Sequence, residues 1–493
     1  MIWLHPYPYA RDIIVKKSIE LFNMVKKVAF LGLDGLDYEL LNLALDRGLM
    51  PFLKSILYKS VRARIWCYPP YTPPMWTSIK TSVNPGKHGI IDFYLFNENR
   101  VLTSLDIEYP CIWFILAQHR LRSIVLANDD PRLYGNYVDL MSDSLASIKV
   151  RTNSIWLKLL KMGYIPYNKL FPYLWRRLDD YCEQITKNIY LLRDFIDDVK
   201  SKNELSLLWL ELREPDYFLH SKPRLVYNLA NNISKWFSAI DKLIEKLYEL
   251  FDLVLIASDH GFRLQRGVNL SRKLYEHNLL RINLKNMNDE LLHHVLKVSS
   301  VLDKISIPIL WKALSRFFKP SIDRASPCYV NLGMISSNYI VLNKRYSKAF
   351  QTISALLQKI IAKIPGIKDL IPFNDFFWGP YSNREPGYIV MLRKGYALSD
   401  FFSNPISNIY THFPEGVLIV LDNDVEPNEL NLIYPWDIVP TILAYMGLPI
   451  PKDTDGRVLS SIAQDHGIRK DYLGRYRVFL HIVRTRAKSS YVV

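Results

Sequence analysis

Short apolar runs punctuate the chain at intervals too wide for hairpins. Val28-Ala29-Phe30-Leu31-Gly32-Leu33, the stretch Arg122 to Ala127, Leu205 to Leu212, Phe251 to Ser258 and Val417 to Leu421 are near-continuous in hydrophobic residues. Runs of this length, apolar on both alternating faces, predict strands buried in a parallel sheet. Between them the period changes. Ile185, Ile189, Leu192, Phe195, Ile196 and Val199 recur at helical spacing from Tyr181 onward, Leu36 to Leu45 reads as a helix, and a long amphipathic helix is predicted from about Leu225 to Phe251. Alternation of this kind predicts an α/β fold with helices on both faces of a mostly parallel central sheet. Residues 266–400 break the alternation and read as an inserted cap region, after which 401–460 return to the core begun at 26–265. Residues 1–25 read as an N-terminal extension with an accessory helix around Ile13, Ile19 and Phe22. Residues 461–493 read as a basic tail without periodicity, and no elements are assigned to the aromatic-rich stretch 130–175.

At 493 residues the chain can bury a large core, as one big domain with an insertion or as two or three domains. Its net charge of +15 favours anionic partners, either phosphate esters or a peripheral anionic surface. No nucleic-acid-binding motif accompanies the charge, so specific nucleic-acid binding is not expected. Cys67, Cys111, Cys182 and Cys328 form no CxxC pair, which argues against a zinc knuckle or a disulfide framework. The first residues lack the pattern of a signal peptide, and no apolar run is long enough to span a bilayer, so a soluble, cytoplasmic protein is expected.

Chemistry-bearing residues collect where the predicted strands stop. Asp34 follows the first, Asp216 and His220 follow the third, and Asp259-His260-Gly261 follow the fourth. In open α/β sheets that edge is where ligands bind. Asp34 equally suits a helix N-cap, and Asp216 with His220, four apart, taken alone reads more readily as a surface pair than as two ligands of one cation. Pro69-Pro70-Tyr71-Thr72-Pro73-Pro74 holds Thr72 in a rigid frame, extended in front of a helix that Trp76 to Ile79 begin, where a hydroxyl is placed to accept a phosphoryl group. Asn84 to Ile90 is a turn-rich loop offering Lys87 and His88 as anion contacts, and His412 lies in a loop flanked by Pro414 and Gly416. Three Asp, three His and one Thr are the inventory of a two-metal hydrolytic site, with donors suited to zinc or a similar divalent ion.

In this order, Leu33-Asp34-Gly35, Thr72 to Ile79, Asn84 to Ile90, Asp216 with His220, Ser258 to Gly261, His412 to Gly416 and Asp437 to Leu443 resemble the alkaline phosphatase superfamily. The closer resemblance is to its type I phosphodiesterase/nucleotide pyrophosphatase family, over about residues 26 to 460. The resemblance implies an alkaline-phosphatase-like fold. It also implies two divalent ions, zinc with manganese as the alternative: one held by Asp34, Thr72, Asp259 and His260, the other by Asp216, His220 and His412. Thr72 would be the nucleophile and would pass through a phosphothreonine. The substrate would be a small phosphate ester, with phosphomonoesterase, phosphonate hydrolase, phosphomutase or inactive scaffold as alternatives. Two positions depart from the family pattern. Ile91-Asp92-Phe93 stand where an Asn usually contacts a phosphoryl oxygen, leaving that contact missing or supplied by Lys87, and Thr81-Ser82 replace a Thr-Gly. A sulfatase is disfavoured because Tyr71 stands where the CxPxR frame requires Arg.

Overall fold

The computed structural model describes residues 26–127, 138–142, 154–174, 177–200, 205–284, 320–330, 338–399, 408–422 and 425–490. The predicted helix within residues 1–25 and the inserted stretch 285–319 lie outside the described residues.

A central sheet of eight strands carries the chain: β1 (Val28–Leu33), β2 (Val61–Trp66), β3 (Arg122–Ala127), β4 (Val138–Ser142), β5 (Leu205–Leu212), β6 (Leu253–Ala257), β7 (Glu415–Leu421) and β8 (Asn428–Glu429). Their spatial order is β8-β2-β7-β6-β1-β5-β3-β4. β1 pairs in parallel with both β5 and β6, β5 with β3 and β3 with β4, whereas β7 runs antiparallel to β2 and β6. Successive residues of β1 serve opposite faces. Val28 and Phe30 join one hydrophobic cluster, with Trp113, Trp209 and Ile442, while Ala29, Leu31 and Leu33 join another, with Leu210, Ile240 and Ile256. A strand buried on both faces must be apolar throughout, which is why this sheet was visible as runs. Register sets Phe30 beside Trp209, and their rings stack with centroids 3.8 Å apart.

Helices cover both faces. Among them are α1 (Tyr38–Asp46), α2 (Thr72–Thr81), α3 (Leu178–Lys200), α4 (Asp216–Ser221) and α5 (Asn231–Leu250), with α6 (Leu473–Ser490) near the C-terminus. The predicted stripe of α3 is buried at Ile185, Ile189, Leu192, Phe195 and Ile196, against α5. The single helix expected from Leu225 to Phe251 is instead two, Pro223–Tyr227 and α5, because Leu229 takes a left-handed φ of 49° between them. The tail expected to lack periodicity contains α6, whose Tyr476 and Leu480, with Tyr472 just ahead of it, are buried against the core. Their four-residue spacing is obscured in sequence by the intervening Gly474, Arg475 and Arg477.

The interruption after residue 265 contains a four-stranded antiparallel sheet formed by Cys328–Tyr329, Tyr339–Leu342, Ile367–Pro372 and Gly387–Leu392. Tyr339, Val341 and Ile389 pack into the main core, and Ile340, Leu342 and Val390 face a third cluster within the insertion. A three-stranded sheet (Gly261–Val268, Tyr396–Leu398 and Asn408–Phe413) ties the insertion to the edge where His412 sits. No helix among the described residues is long and apolar enough to cross a membrane.

Candidate metal centre and nucleophile

The three acidic strand ends meet because β6, β1 and β5 are neighbours. Asp34 N–H donates to Leu212 O at 3.0 Å, and Asp216 N–H donates to Asp34 O at 2.9 Å. Gly35 makes this approach possible: its φ is +76°, and a Cβ there would lie 2.9 Å from Asp216 Cβ. Asp34 is not a helix cap. That task falls to Asp37, whose carboxylate accepts from Leu40 N–H at 2.9 Å. Asp216 opens α4, and its Oδ1 lies 3.2 Å from His220 Nε2 one turn later, so the pair is part of the buried cluster.

Four imidazole and carboxylate groups converge around Asp216 and His412. His412 Nε2 is 3.3 Å from Asp216 Oδ1 and 3.0 Å from His220 Nε2, while its Nδ1 is fixed by Pro70 O at 2.9 Å. His260 stacks on His412 with centroids 3.9 Å apart and sends Nε2 to within 3.4 Å of both Asp34 Oδ1 and Asp259 Oδ2. Thr72 Oγ1 lies 3.1 Å from the same His260 Nε2. Two sets therefore share one member, His260: Asp34, Asp259 and His260, and Asp216, His260 and His412.

Thr72 is itself the first residue of α2, and the extended residue before the helix is Tyr71. The next two residues, Pro73 and Pro74, have no N–H to offer. The helix therefore begins at Thr72 rather than at Trp76, as the sequence suggested, and its second and third positions offer no donors. Gly261 serves by lacking a side chain, since a Cβ there would meet Glu415 O at 2.6 Å; its backbone is not left-handed.

Electrostatics show what the site requires. Asp34 Oδ1, Asp216 Oδ1 and Asp259 Oδ2 are buried without any hydrogen-bond partner, and these are the oxygens that face the imidazoles. Burial, reinforced by Asp216, pushes Asp34 up to about 7, and burial with the charges of Asp34 and Asp216 pushes Asp259 well up. Burial acts upward on Asp216 too, but His220 and His412 outweigh it and hold that carboxyl well below its usual range. His260 is held neutral, first by burial and then by His412. Orphaned carboxylate oxygens beside neutral imidazole nitrogens are a donor set that fits divalent cations.

Some contributors carry no pattern in the sequence. Trp76 donates from Nε1 to Asp34 Oδ2 at 3.3 Å, its ring lying over Gly32, where a Cβ would come within 2.5 Å. Arg213, almost fully buried, reaches the same oxygen at 3.4 Å. Glu214 accepts from Tyr167 at 2.6 Å and Tyr181 at 2.7 Å, anchoring the turn before Asp216.

Lys87 and His88, expected to contact substrate, are used elsewhere. Lys87 Nζ pairs with Asp455 at 2.6 Å and donates to Asp453 O. His88 is fully buried, with Nε2 3.0 Å from Ser78 Oγ and Nδ1 accepting from Ile90 N–H. Asp92, within the stretch Ile91-Asp92-Phe93 that departs from the family pattern, accepts a hydrogen bond from the hydroxyl of Tyr339 in the insertion.

The α/β sheet thus delivers to its C-terminal edge a buried carboxylate–imidazole cluster that could hold metal ions. Residues 28–304 match the family described as Type I phosphodiesterase / nucleotide pyrophosphatase, and the chain belongs to that family of phosphoester hydrolases. His412 falls outside the matched stretch, brought to the site by the fold. A search of curated proteins found no match. Among solved structures, phosphonoacetate hydrolase from Sinorhizobium meliloti 1021 aligns with a TM-score of 0.55 at 16% identity, covering 86% of this chain and 96% of that one. Murine ectonucleotide pyrophosphatase / phosphodiesterase 5, in an inactive form with AMP, aligns at 0.52 and 11% identity, covering 89% and 100%. Alkaline phosphatase PafA aligns at 0.53 and 10%, covering 89% and 99%. At these identities the likeness concerns the fold, which is alkaline-phosphatase-like with a mostly parallel sheet.

Proposed function

We propose that this protein hydrolyses small phosphate diesters or pyrophosphates with Thr72 as nucleophile. The observation that carries the reading is the position of Thr72 Oγ1, 3.1 Å from His260 Nε2 at the start of α2, beside three buried carboxylate oxygens without partners. Asp34, Asp259 and His260, with Thr72, would hold one divalent cation, and Asp216, His220 and His412 a second, zinc in this reading and manganese as the alternative. When bound, such ions supply positive charge that favours the alkoxide and offsets charge developing on the transferring phosphoryl group.

Thr72 Oγ1 bonds to phosphorus as the bond to the first alcohol breaks, the proton lost from Thr72 ends on the departing alcohol, and a phosphothreonine is left. Water then attacks phosphorus, the Thr72 oxygen departs with a proton, and the threonine is restored. Trp76 and Arg213 hold Asp34 through one oxygen and leave the other facing the site. Pro70 fixes the His412 ring. The four cysteines are buried and none of them forms a disulfide, which supports our placing the enzyme in the cytoplasm.

The test is hydrolysis of a nitrophenyl phosphate diester beside the matching monoester, with zinc or manganese, for the wild type and Thr72→Ala. Metal-dependent turnover that favours the diester and collapses in the variant is the expected result. Equal turnover by the variant would exclude Thr72 as nucleophile, and preference for the monoester would exclude the diesterase reading.

A further inference from the structure

Behind His412, on the side held by Pro70, lies a cavity of about 280 Å³ between the core and the insertion. Trp66, Tyr68 and Tyr396 form aromatic walls, the first two with rings nearly parallel. Two buried amides line it, and each is oriented by its nitrogen. Gln265 Nε2 donates to His412 O at 2.8 Å, and Asn338 Nδ2 donates to the Tyr68 hydroxyl at 3.1 Å. That hydroxyl cannot reciprocate, because it donates to Val390 O at 2.5 Å. The amide oxygens of Gln265 and Asn338 therefore remain as acceptors that no described residue uses. At the mouth, the turn after Leu392 presents Arg393 and Lys394, both exposed and without a carboxylate partner among the described residues. The lining carboxylate, Glu415, is neutralised by Arg64 at 2.5 Å.

Aromatic walls select a flat ring, free amide oxygens select N–H donors, and two unpaired cations select a negative charge. We propose that this cavity binds a compact heterocyclic anion with ring N–H groups, at a site separate from the phosphoryl-transfer centre and sharing only the His412 wall with it. The proposal does not depend on the catalytic reading, because it concerns binding alone.

The probe is orotate, a planar ring with N–H donors and a carboxylate, titrated calorimetrically into the full-length protein in the presence of zinc. Uracil lacks the carboxylate and benzoate lacks the N–H donors, so each binds about tenfold or more weakly than orotate. Arg393→Ala combined with Lys394→Ala, both on the surface, lowers orotate affinity to that of uracil and leaves uracil binding as it was. Absence of saturable orotate binding, benzoate binding as well as orotate, or an unchanged affinity in the double variant would each overturn the proposal. So would orotate that competes with a phosphate diester at the metal centre.

Discussion

Replacing Trp76 with Phe tests whether Asp34 is held in place for an ion. The substitution removes one N–H donor, 3.3 Å from Asp34 Oδ2, and the outer edge of the ring that covers Gly32. A hydrogen bond to an ionised acceptor contributes about 1.5 to 3 kcal/mol, and the length of this one places it near the lower figure. If Asp34 binds an ion through its other oxygen, losing this anchor weakens that ion by about tenfold and lowers turnover in step, as for other partners behind metal ligands. The void left beside Gly32 costs about 1 to 2 kcal/mol of stability separately. Two measurements keep the effects apart. Thermal unfolding of chelator-treated protein reports the packing loss alone, whereas competition with a chromogenic chelator reports ion affinity. A variant with lower thermal stability but wild-type ion affinity and turnover would refute the argument and leave Trp76 as a packing residue.

Thr72→Ala should lower diester turnover by about a thousandfold or more, while Thr72→Ser keeps part of it, measured at saturating metal with folding checked by circular dichroism. Chelation should lower the unfolding temperature, since an ion at a thousandfold excess over its dissociation constant stabilises the fold by about 4 kcal/mol per site; an unchanged melt would mean that no ion binds. His88 is driven down to about 3, first by burial and then by Lys80, so it stays neutral in the folded chain while its unfolded counterpart takes up a proton below 6.5. A depressed folded value means stability that is intact above 6.5 and lost as pH falls toward 3, by up to about 4 kcal/mol. His88→Gln should flatten that acid limb in denaturant titrations from pH 7 to 4, and an identical slope would show that His88 does not titrate as described.

Legibility of the sequence followed physical cause. Strands buried on both faces have to be apolar, so β1, β3, β5, β6 and β7 stood out, and metal-capable residues placed just beyond three of them were conspicuous. The helical stripe of α3 was equally plain, because one face alone meets the core. Less legible were features that depend on space rather than pattern. Nothing marks Trp76 or Arg213 as supports for Asp34, because their roles arise only when β1 and β5 lie side by side. A turn-rich loop with basic residues suggests an anion site, and only the fold brings Asp455 to Lys87 and Ser78 to His88. The second proline after Thr72 was read as framing a loop, although proline also suits the first turn of a helix, and that is where it stands.

The strand order explains why the cluster costs stability and is therefore informative. Asp259, Asp34 and Asp216 stand at the ends of β6, β1 and β5, three adjacent strands, so neither register nor rotamer can move one carboxylate far from the next. Arg213 is the one buried cation bonded to this set among the described residues, and it engages Asp34 at the oxygen turned away from the imidazoles. A fold that only needed a stable sheet edge would end these strands with neutral caps, as it ends β2 with Trp66 and Cys67. Three like charges gathered out of water, with an oxygen of each left unbonded, are tolerable where positive charge enters from outside. The same geometry then fixes the place of Thr72: the Pro-framed helix start sets its hydroxyl beside His260, the imidazole shared by both halves of the cluster, which is the placement the proposed nucleophile requires.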